Sequence, residues 1–514
     1  MDPTRPPTAP PDATAPPATP VRDGIGARAD AYATAPLLNC LLREVAQPVP
    51  GPGEPRVYRL PSGARLLRVR GGRRPAAPEV NTGDGTWHPV GHAELVKLVA
   101  EELQAHTGLS NPELPTEMAD SRDTVAALLT ARDSTTPPDD PYRCSEQSLL
   151  LGHPYHPAPK ARGGGPVAGW LPYAPEAYAA FPLVLLGVRE DLVAEEGDVS
   201  DLDAFGTAPP GYRLLPAHPW QLDLVAPSLT GAFADGRLIR LGPTAFDTWP
   251  TAAVRTLYAP EHDLFVKFSL DVRITNDVRR LWRHDLLELR RTDAAVTSAA
   301  GRTSGAWLSD RGYRTADFAF EELAVLVRDG LHGHIVPGTA PVLAAALVEG
   351  FPGTPLDGLG DPVGWWTAYL RAVVPPALEL FARHGVVIEA HLQNCLIAVD
   401  AARTPVQALF RDAEGVKLLP EVSRAAGWER LVYCLVVNHL VEVAETLRER
   451  HPDLDPWPAV RDEFGRESRR LDLPEAAALL TAPTLPGKTN LLLRWTGADG
   501  ADARYLPLPN PLRA

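Results

Sequence analysis

The residues best suited to chemistry gather in Gly152-His153-Pro154-Tyr155-His156-Pro157-Ala158-Pro159-Lys160-Ala161-Arg162-Gly163-Gly164-Gly165. Pro154, Pro157 and Pro159 fix φ and remove N–H donors, so the stretch reads as a stiff, extended loop. In an extended segment Lys160 and Arg162, two residues apart, face the same side. Beside glycine amides that a ligand can approach closely, two such cations suit a polyanion, phosphate above all. A surface turn with incidental basic residues is the plainer alternative.

Further groups could serve the same ligand. Arg255 lies in Pro250-Thr251-Ala252-Ala253-Val254-Arg255-Thr256, ahead of the apolar run Leu264–Leu270, which reads as a strand with Lys267 in its middle. There Lys267 points away from Val266 and Phe268, and a buried ammonium needs a partner, either a nucleotide phosphate or a structural carboxylate. Thr275 and Arg279 follow at once, so Arg255, Lys267, Thr275 and Arg279 make a compact phosphate-gripping set. His218, in Pro216-Ala217-His218-Pro219-Trp220-Gln221, reads as part of a packing corner. Glu389-Ala390-His391-Leu392-Gln393-Asn394 precedes a strand, a second strand and Asp412. That order is used by kinase-like phosphotransferases, where Asn and Asp hold magnesium on nucleotide phosphates. Asn394, Asp412 and Glu389 offer hard oxygen ligands, and a structural ion pair is an equal use for Glu389.

The elements that must position these groups fall into an α+β chain of 514 residues. Residues 1–28 read as a Pro/Ala-rich disordered tail, without the basic start and apolar core of a signal peptide. Residues 29–145 read as mainly helical, with helices over Asp30–Val45, His92–His106 and Ser121–Arg132 and a hairpin about Pro61-Ser62-Gly63. Residues 146–300 are β-rich, with strands at Leu183–Val188, Tyr212–Leu215, Arg237–Leu241 and Leu264–Leu270, then a helix from Arg279. Residues 301–514 read as helical, at Phe318–Val327, Val342–Glu349, Trp365–His384, Trp428–Arg450 and Trp457–Leu471. Strands are expected there at Leu396–Val399, Val406–Phe410 and Asn490–Trp495. A net charge of −14 argues against nucleic acid or anionic membrane as partner. No apolar run reaches spanning length. Four scattered cysteines without a CxxC pair favour reduced thiols and a cytoplasmic setting over a zinc or disulfide framework.

From Glu146 onward the chain resembles the IucA/IucC family of NRPS-independent siderophore synthetases. The resemblance rests on GHPYHPAPKARGG, AHPWQ, PTAAVRT, VKFSLDVRITNDVR, EAHLQN and FRD in this order, with Pro486-Gly487-Lys488-Thr489-Asn490-Leu491 near the end. It implies a hand-shaped enzyme of thumb, fingers and palm, with Mg-ATP between fingers and palm and a homodimer as assembly. It further implies that His153, Lys160 and Arg162 line nucleotide phosphates and the reacting carboxylate. Arg255, Lys267, Thr275 and Arg279 would complete that grip. His391, Gln393 and Asn394 would face nucleotide and substrate, with Glu389 and Asp412 near magnesium. The implied reaction is adenylation of a carboxylic acid such as citrate, then attack by an amine, hydroxylamine or alcohol, with AMP and pyrophosphate released. The general base lies among His153, His156 and His391. Ala253 stands where the family commonly has serine, which implies a changed acyl substrate or lower activity. A small-molecule kinase and a nucleotide-binding paralogue without turnover are the rival readings.

Overall fold

The structure, a computed structural model, describes residues 22–51, 53–83, 85–498 and 505–513. Most of the expected tail lies outside these residues, but 22–28 form the opening turns of helix Arg22–Glu44. That helix buries Leu37, Leu38 and Leu41 against Leu95, Val99 and Leu103 of His92–Thr107 and against Leu114 and Met118 of Glu113–Arg132. Three- and four-residue spacing puts each trio on one helical face. A five-stranded sheet in chain order completes this region, and its expected hairpin pairs Arg56–Arg59 with Leu66–Arg70. Ala158 and Ala161 of the motif loop join the same core, as do Leu491 and Trp495 from the far end of the chain.

The middle of the molecule is an antiparallel sheet of six strands. Their order is Trp249–Pro250, Thr256–Ala259, Leu264–Phe268, Val325–Asp329, Asp310–Ala316 and Val193–Gly197. One face carries Val266, Phe268, Val325 and Val327 toward a smaller sheet of Tyr212–Ala217, Val184–Arg189 and Leu238–Pro243. The other carries Phe265 and Leu326 toward the C-terminal region. Strand alternation puts Lys267 on this second face.

Two expectations about these strands change. The helix expected over Phe318–Val327 does not form: only Asp317–Ala319 makes a helical turn, and Val325–Asp329 is a central strand. Both faces of that strand are buried, so its apolar run lacks alternation and resembles a buried helix. The β-rich region accordingly continues past residue 300, since Asp310–Ala316 and Val325–Asp329 are members of its main sheet.

The C-terminal region holds a four-stranded sheet of Ala306–Leu308, Pro405–Arg411, Cys395–Val399 and Ala340–Leu343. Helix Pro362–His384 continues through Pro375 and Pro376 and packs on Pro405–Arg411 and on helix Trp457–Leu471. The helix expected over Trp428–Arg450 runs from Arg424, with a π-helical stretch at Val432–Leu440. Val342–Glu349 divides into the end of strand Ala340–Leu343 and the short helix Ala344–Glu349. Asn490–Trp495, expected as a strand, is instead helix Asn490–Thr496. Its first amides, Leu491 and Leu492, donate to Glu44 at 2.9 and 2.8 Å, a cap supplied from more than 400 residues away. The local strand is Thr484–Lys488, paired with Tyr505–Pro509.

Candidate active site

Lys267 projects from mid-strand to a point where Asp412 Oδ1 and Glu414 Oε2 accept its Nζ protons at 2.8 and 2.6 Å. Arg255 joins through Nη2 to Glu414 at 3.1 Å, and its Nη1 donates to the carbonyls of Arg279 and Arg280. Arg328, on the neighbouring strand, holds Asp310 with two hydrogen bonds and reaches Asp412 Oδ1 at 3.3 Å. Burial acts to raise the Asp412 pKa, but Lys267 and Arg328 outweigh it and hold the carboxyl far below the usual range. Lys267 and Arg255 likewise lower Glu414 against the effect of burial.

Three non-glycine residues with positive φ border this cluster. Val254, at φ 66°, precedes Arg255; Thr275, at φ 60°, accepts from Arg279 Nη2 at 2.7 Å; Asp412 itself has φ 81°. Such backbone is unfavourable for residues with a Cβ, and for β-branched Val254 and Thr275 most of all. It persists where surrounding bonds over-determine it, commonly at functional sites. Around Val254 those bonds are visible: Thr251 N and Oγ1 both donate to Thr256 O, and Ala252 N donates to Glu146 Oε2. Glu146 is in turn held by Arg411 Nη1 at 2.6 Å. One buried carboxylate thus ties the PTAAVRT turn to the FRD strand.

The proline-rich loop presents a different picture. Lys160 Nζ and Arg162 Nη2 do lie on one side, but both donate to Glu176 Oε1 at 2.7 Å, and all three side chains are buried. Burial would raise the Glu176 pKa; the two cations overcome it and hold the carboxyl down to about 2. Lys160 Nζ is completed by Leu149 O, and its backbone N–H by Ser121 of the N-terminal region. Gly152 has φ 70°, and a Cβ there would stand 3.1 Å from Lys160 Cε, so this glycine answers to both backbone and space. In this structure, then, a carboxylate of the chain takes up the charge of both cations.

His153 is half-buried, and its Nδ1 accepts from the Tyr155 amide at 3.1 Å. Burial, with His391, Arg43 and Lys488 nearby, lowers its pKa to about 3. His156 is fully buried, its Nδ1 engaged by the Ala158 amide. His391 is half-buried with a lowered pKa, and among the described residues neither ring nitrogen is hydrogen-bonded. Asn394 is buried at the end of the turn Leu392–Asn394, whereas the Gln393 side chain is exposed and its carbonyl receives Arg411. Glu389 is ion-paired with Arg430 and packs against Gly415, where a Cβ would come within 2.0 Å of Oε2. His218 caps helix Pro219–Ala234 among Tyr173 and Phe181, as a packing corner should.

Among the described residues no group of three His, Cys, Asp or Glu is arranged to hold a metal ion. The donor set for magnesium is nevertheless in reach: Asp412 and Glu414 converge on one ammonium, as two hard carboxylates would on a cation. Glu389 is engaged elsewhere.

Several residues escaped the sequence reading. Glu414 lies two positions beyond Asp412, and its part shows only once Lys267 reaches it. Arg328 is a charge in mid-strand like Lys267, concealed by the helical reading of that run. Arg43 comes from the N-terminal helix, its guanidinium 3.2 Å from the Tyr155 ring centroid. Lys488, half-buried, forms no ion pair among the described residues, and neither does half-buried Arg279, which the sequence did single out; burial lowers the pKa of both. Cations in that condition suit an anionic ligand.

Comparison with known proteins agrees with this geometry. Residues 141–349 match the IucA/IucC family model, and residues 364–503 match the model described as ferric iron reductase FhuF-like transporter. Among the described residues no helix is long and apolar enough to cross a membrane. The L-2,3-diaminopropanoate–citrate ligase of Staphylococcus aureus is 29% identical, over 73% of this chain and 75% of its own length. Rhizobactin siderophore biosynthesis protein RhbC of Rhizobium meliloti is 27% identical over 90% of each chain. The fold matches ATP-bound aerobactin synthetase IucA of Klebsiella pneumoniae with a TM-score of 0.80 at 22% identity, covering 94% of this chain and 100% of that one. It also matches petrobactin biosynthesis protein AsbB of Bacillus anthracis with a TM-score of 0.77 at 18% identity, covering 96% and 98%. In sequence over residues 141–349 this chain is similar to the IucA/IucC family, and it shares the mixed α/β fold of these siderophore-synthetase structures.

Proposed function

We propose that this protein is an ATP-dependent carboxylate–amine ligase of the siderophore-synthetase type. It adenylates a carboxylic acid such as citrate and condenses it with an amine, hydroxylamine or alcohol. The observation that carries the reading is the cluster of Lys267, Arg255, Asp412 and Glu414 beside Arg279, which lacks a carboxylate of its own. A site that brings a carboxylate onto a triphosphate must neutralise two anions as they approach. The relatives named as citrate ligases support the substrate class.

In this reading the acid's carboxylate oxygen bonds to the α-phosphorus of ATP as the Pα–O–Pβ bond breaks, and pyrophosphate leaves with that electron pair. The acceptor's nitrogen or oxygen then attacks the acyl carbon, AMP leaves, and the acceptor's proton passes to a base. Lys267, Arg255 and Arg279 hold the phosphates, and Thr275 orients Arg279. Asp412 and Glu414, with Asn394, would hold magnesium, which supplies charge neutralisation for the leaving pyrophosphate. His391 is the base this structure favours, because its ring nitrogens are uncommitted while His156 is fully enclosed. Lys160 and Arg162 reach a substrate only by exchanging Glu176 for it. Thumb, fingers and palm correspond to the N-terminal, central and C-terminal regions; a cytoplasmic homodimer completes the proposal.

The test is nucleotide product analysis with Mg-ATP, a panel of di- and tricarboxylates, and hydroxylamine as acceptor. AMP and pyrophosphate formed only with certain acids is the expected result. ADP would establish a kinase instead, and bound ATP without turnover a nucleotide-binding protein.

A further inference from the structure

Behind the Glu389–Asn394 turn lies a buried polar chain that the proposed reaction does not use. His439 is fully enclosed; its Nδ1 stands 2.8 Å from the Ala390 carbonyl oxygen and its Nε2 2.5 Å from Tyr369 Oη. A carbonyl oxygen only accepts, so Nδ1 carries the proton, and Nε2 is left to accept from the tyrosine hydroxyl. Tyr369, also fully buried, is held in helix Pro362–His384 between Trp365 and Trp366, with ring centroids 5.3 and 5.5 Å away. The histidine belongs to the π-helical stretch Val432–Leu440, where Asn438 departs from helical backbone with φ −94° and ψ 15°. Wide turns of this kind re-aim side chains and are frequent near functional sites.

Ala390 sits between Glu389 and His391. Its carbonyl belongs to the Ala390–His391 peptide, so fixing it fixes that plane and with it the direction in which the His391 side chain leaves the backbone. We propose that His439, held between Ala390 and Tyr369 as the Nδ1-protonated tautomer, is a positioning residue that holds the Glu389–His391 turn in its working geometry. Its activity readout rests on the ligase reading given above; its spectroscopic readout does not.

The experiment compares His439→Asn, His439→Gln and Tyr369→Phe with the parent protein. An Asn amide nitrogen can occupy the place of Nδ1 and still donate to Ala390, whereas Gln reaches only the place of Nε2. Spectra of the ¹⁵N-histidine-labelled protein should show one neutral histidine protonated at Nδ1 throughout pH 6–8, absent from both His439 variants. His439→Asn should keep kcat for AMP release within about threefold of the parent. His439→Gln should lose about 10²-fold in kcat with KM for ATP little changed, the size expected for a misplaced reacting group. It should also move the His391 ring resonance, which His439→Asn should leave in place. Tyr369→Phe should keep the Nδ1-protonated tautomer, which the Ala390 carbonyl still demands, but loosen the ring and lower kcat by about tenfold. An Nε2-protonated His439 in the parent would overturn the proposal, as would equal losses in the Asn and Gln variants. If no acid supports turnover, the ligase reading fails, and the tautomer and the His391 resonance still decide this one.

Discussion

At the scale of single residues, the balance of charge separates positions that otherwise look alike. Arg279 has no carboxylate partner among the described residues, so on the proposed reading Arg279→Ala would remove a phosphate contact and leave no carboxylate stranded. It should cost about 10²-fold in kcat with the melting temperature nearly unchanged. Lys267 stands between Asp412 and Glu414. Lys267→Ala should lose as much activity and in addition about 1–3 kcal/mol of stability, a figure reduced by the partial exposure of both carboxylates. Paired kinetics and denaturant melts check the contrast, and equal melts would mean that the carboxylates find other partners.

Buried ionisable residues also set the response to acid. Glu176 has a folded pKa near 2 against an ordinary 4.5, so the unfolded chain binds the proton more readily between those values. Its stabilisation is complete above pH 4.5 and is lost as the pH falls toward 2, roughly 3 kcal/mol in all. His218 and His439, buried neutral with pKa values near 3 and 4 against 6.5, bring an earlier loss as the pH falls below 6.5. Melting temperature should therefore decline in two stages. Glu176→Gln should shrink the later stage, to which Asp412 and Glu414 also contribute, and lower stability at neutral pH, because Lys160 and Arg162 would then lie buried without a counter-charge. A melting curve for that variant superposing on the parent's at pH 3 and pH 7 would refute this.

At the scale of elements, the short turns do the aiming. Gly415 matters for space rather than for φ, since a Cβ there would overlap Glu389 Oε2. Gly415→Ala should drive Glu389 from its place and detach it from Arg430. The loss should fall on kcat, with far-ultraviolet circular dichroism unchanged, and full activity in the variant would show that Glu389 need not sit there. The strained turns at Val254 and Asp412 depend on bonds from other elements, from Glu146 at the one and from Lys267 and Arg328 at the other. This is why their motifs were legible as sequence while their conformation was not.

At the scale of the whole molecule, the two ends of the chain are fastened together across the site. Glu44 caps helix Asn490–Thr496, Asn490 Nδ2 donates to Tyr155 O at 2.8 Å, and Asn39 Nδ2 donates to Pro154 O at 3.1 Å. The N-terminal region, which contributes none of the site residues named from the sequence, thereby holds the histidine loop and braces the segment that follows Lys488. Glu44→Ala should weaken ATP binding several-fold and increase hydrogen exchange across 488–496 without unfolding the main sheet. Unchanged exchange there would separate the N-terminal region from the site.

The amino-acid sequence by itself determined the local matters. Helical periodicity marked His92–His106 and Trp457–Leu471, an apolar run over Leu264–Leu270 marked the strand Leu264–Phe268, and six ordered motifs carried the family resemblance and the inventory of cations and carboxylates. These depend on neighbours within a few positions, which a linear reading can see. Tertiary structure alone decided which charges meet. Lys160 and Arg162 face Glu176, Lys267 faces Glu414 as well as Asp412, and Glu389 turns to Arg430. It also made a strand of Val325–Asp329 and a helix of Asn490–Thr496, one through burial on both faces and the other through a cap from Glu44. Desolvation and Coulomb attraction act between residues brought together by the fold, and no spacing along the chain encodes those encounters.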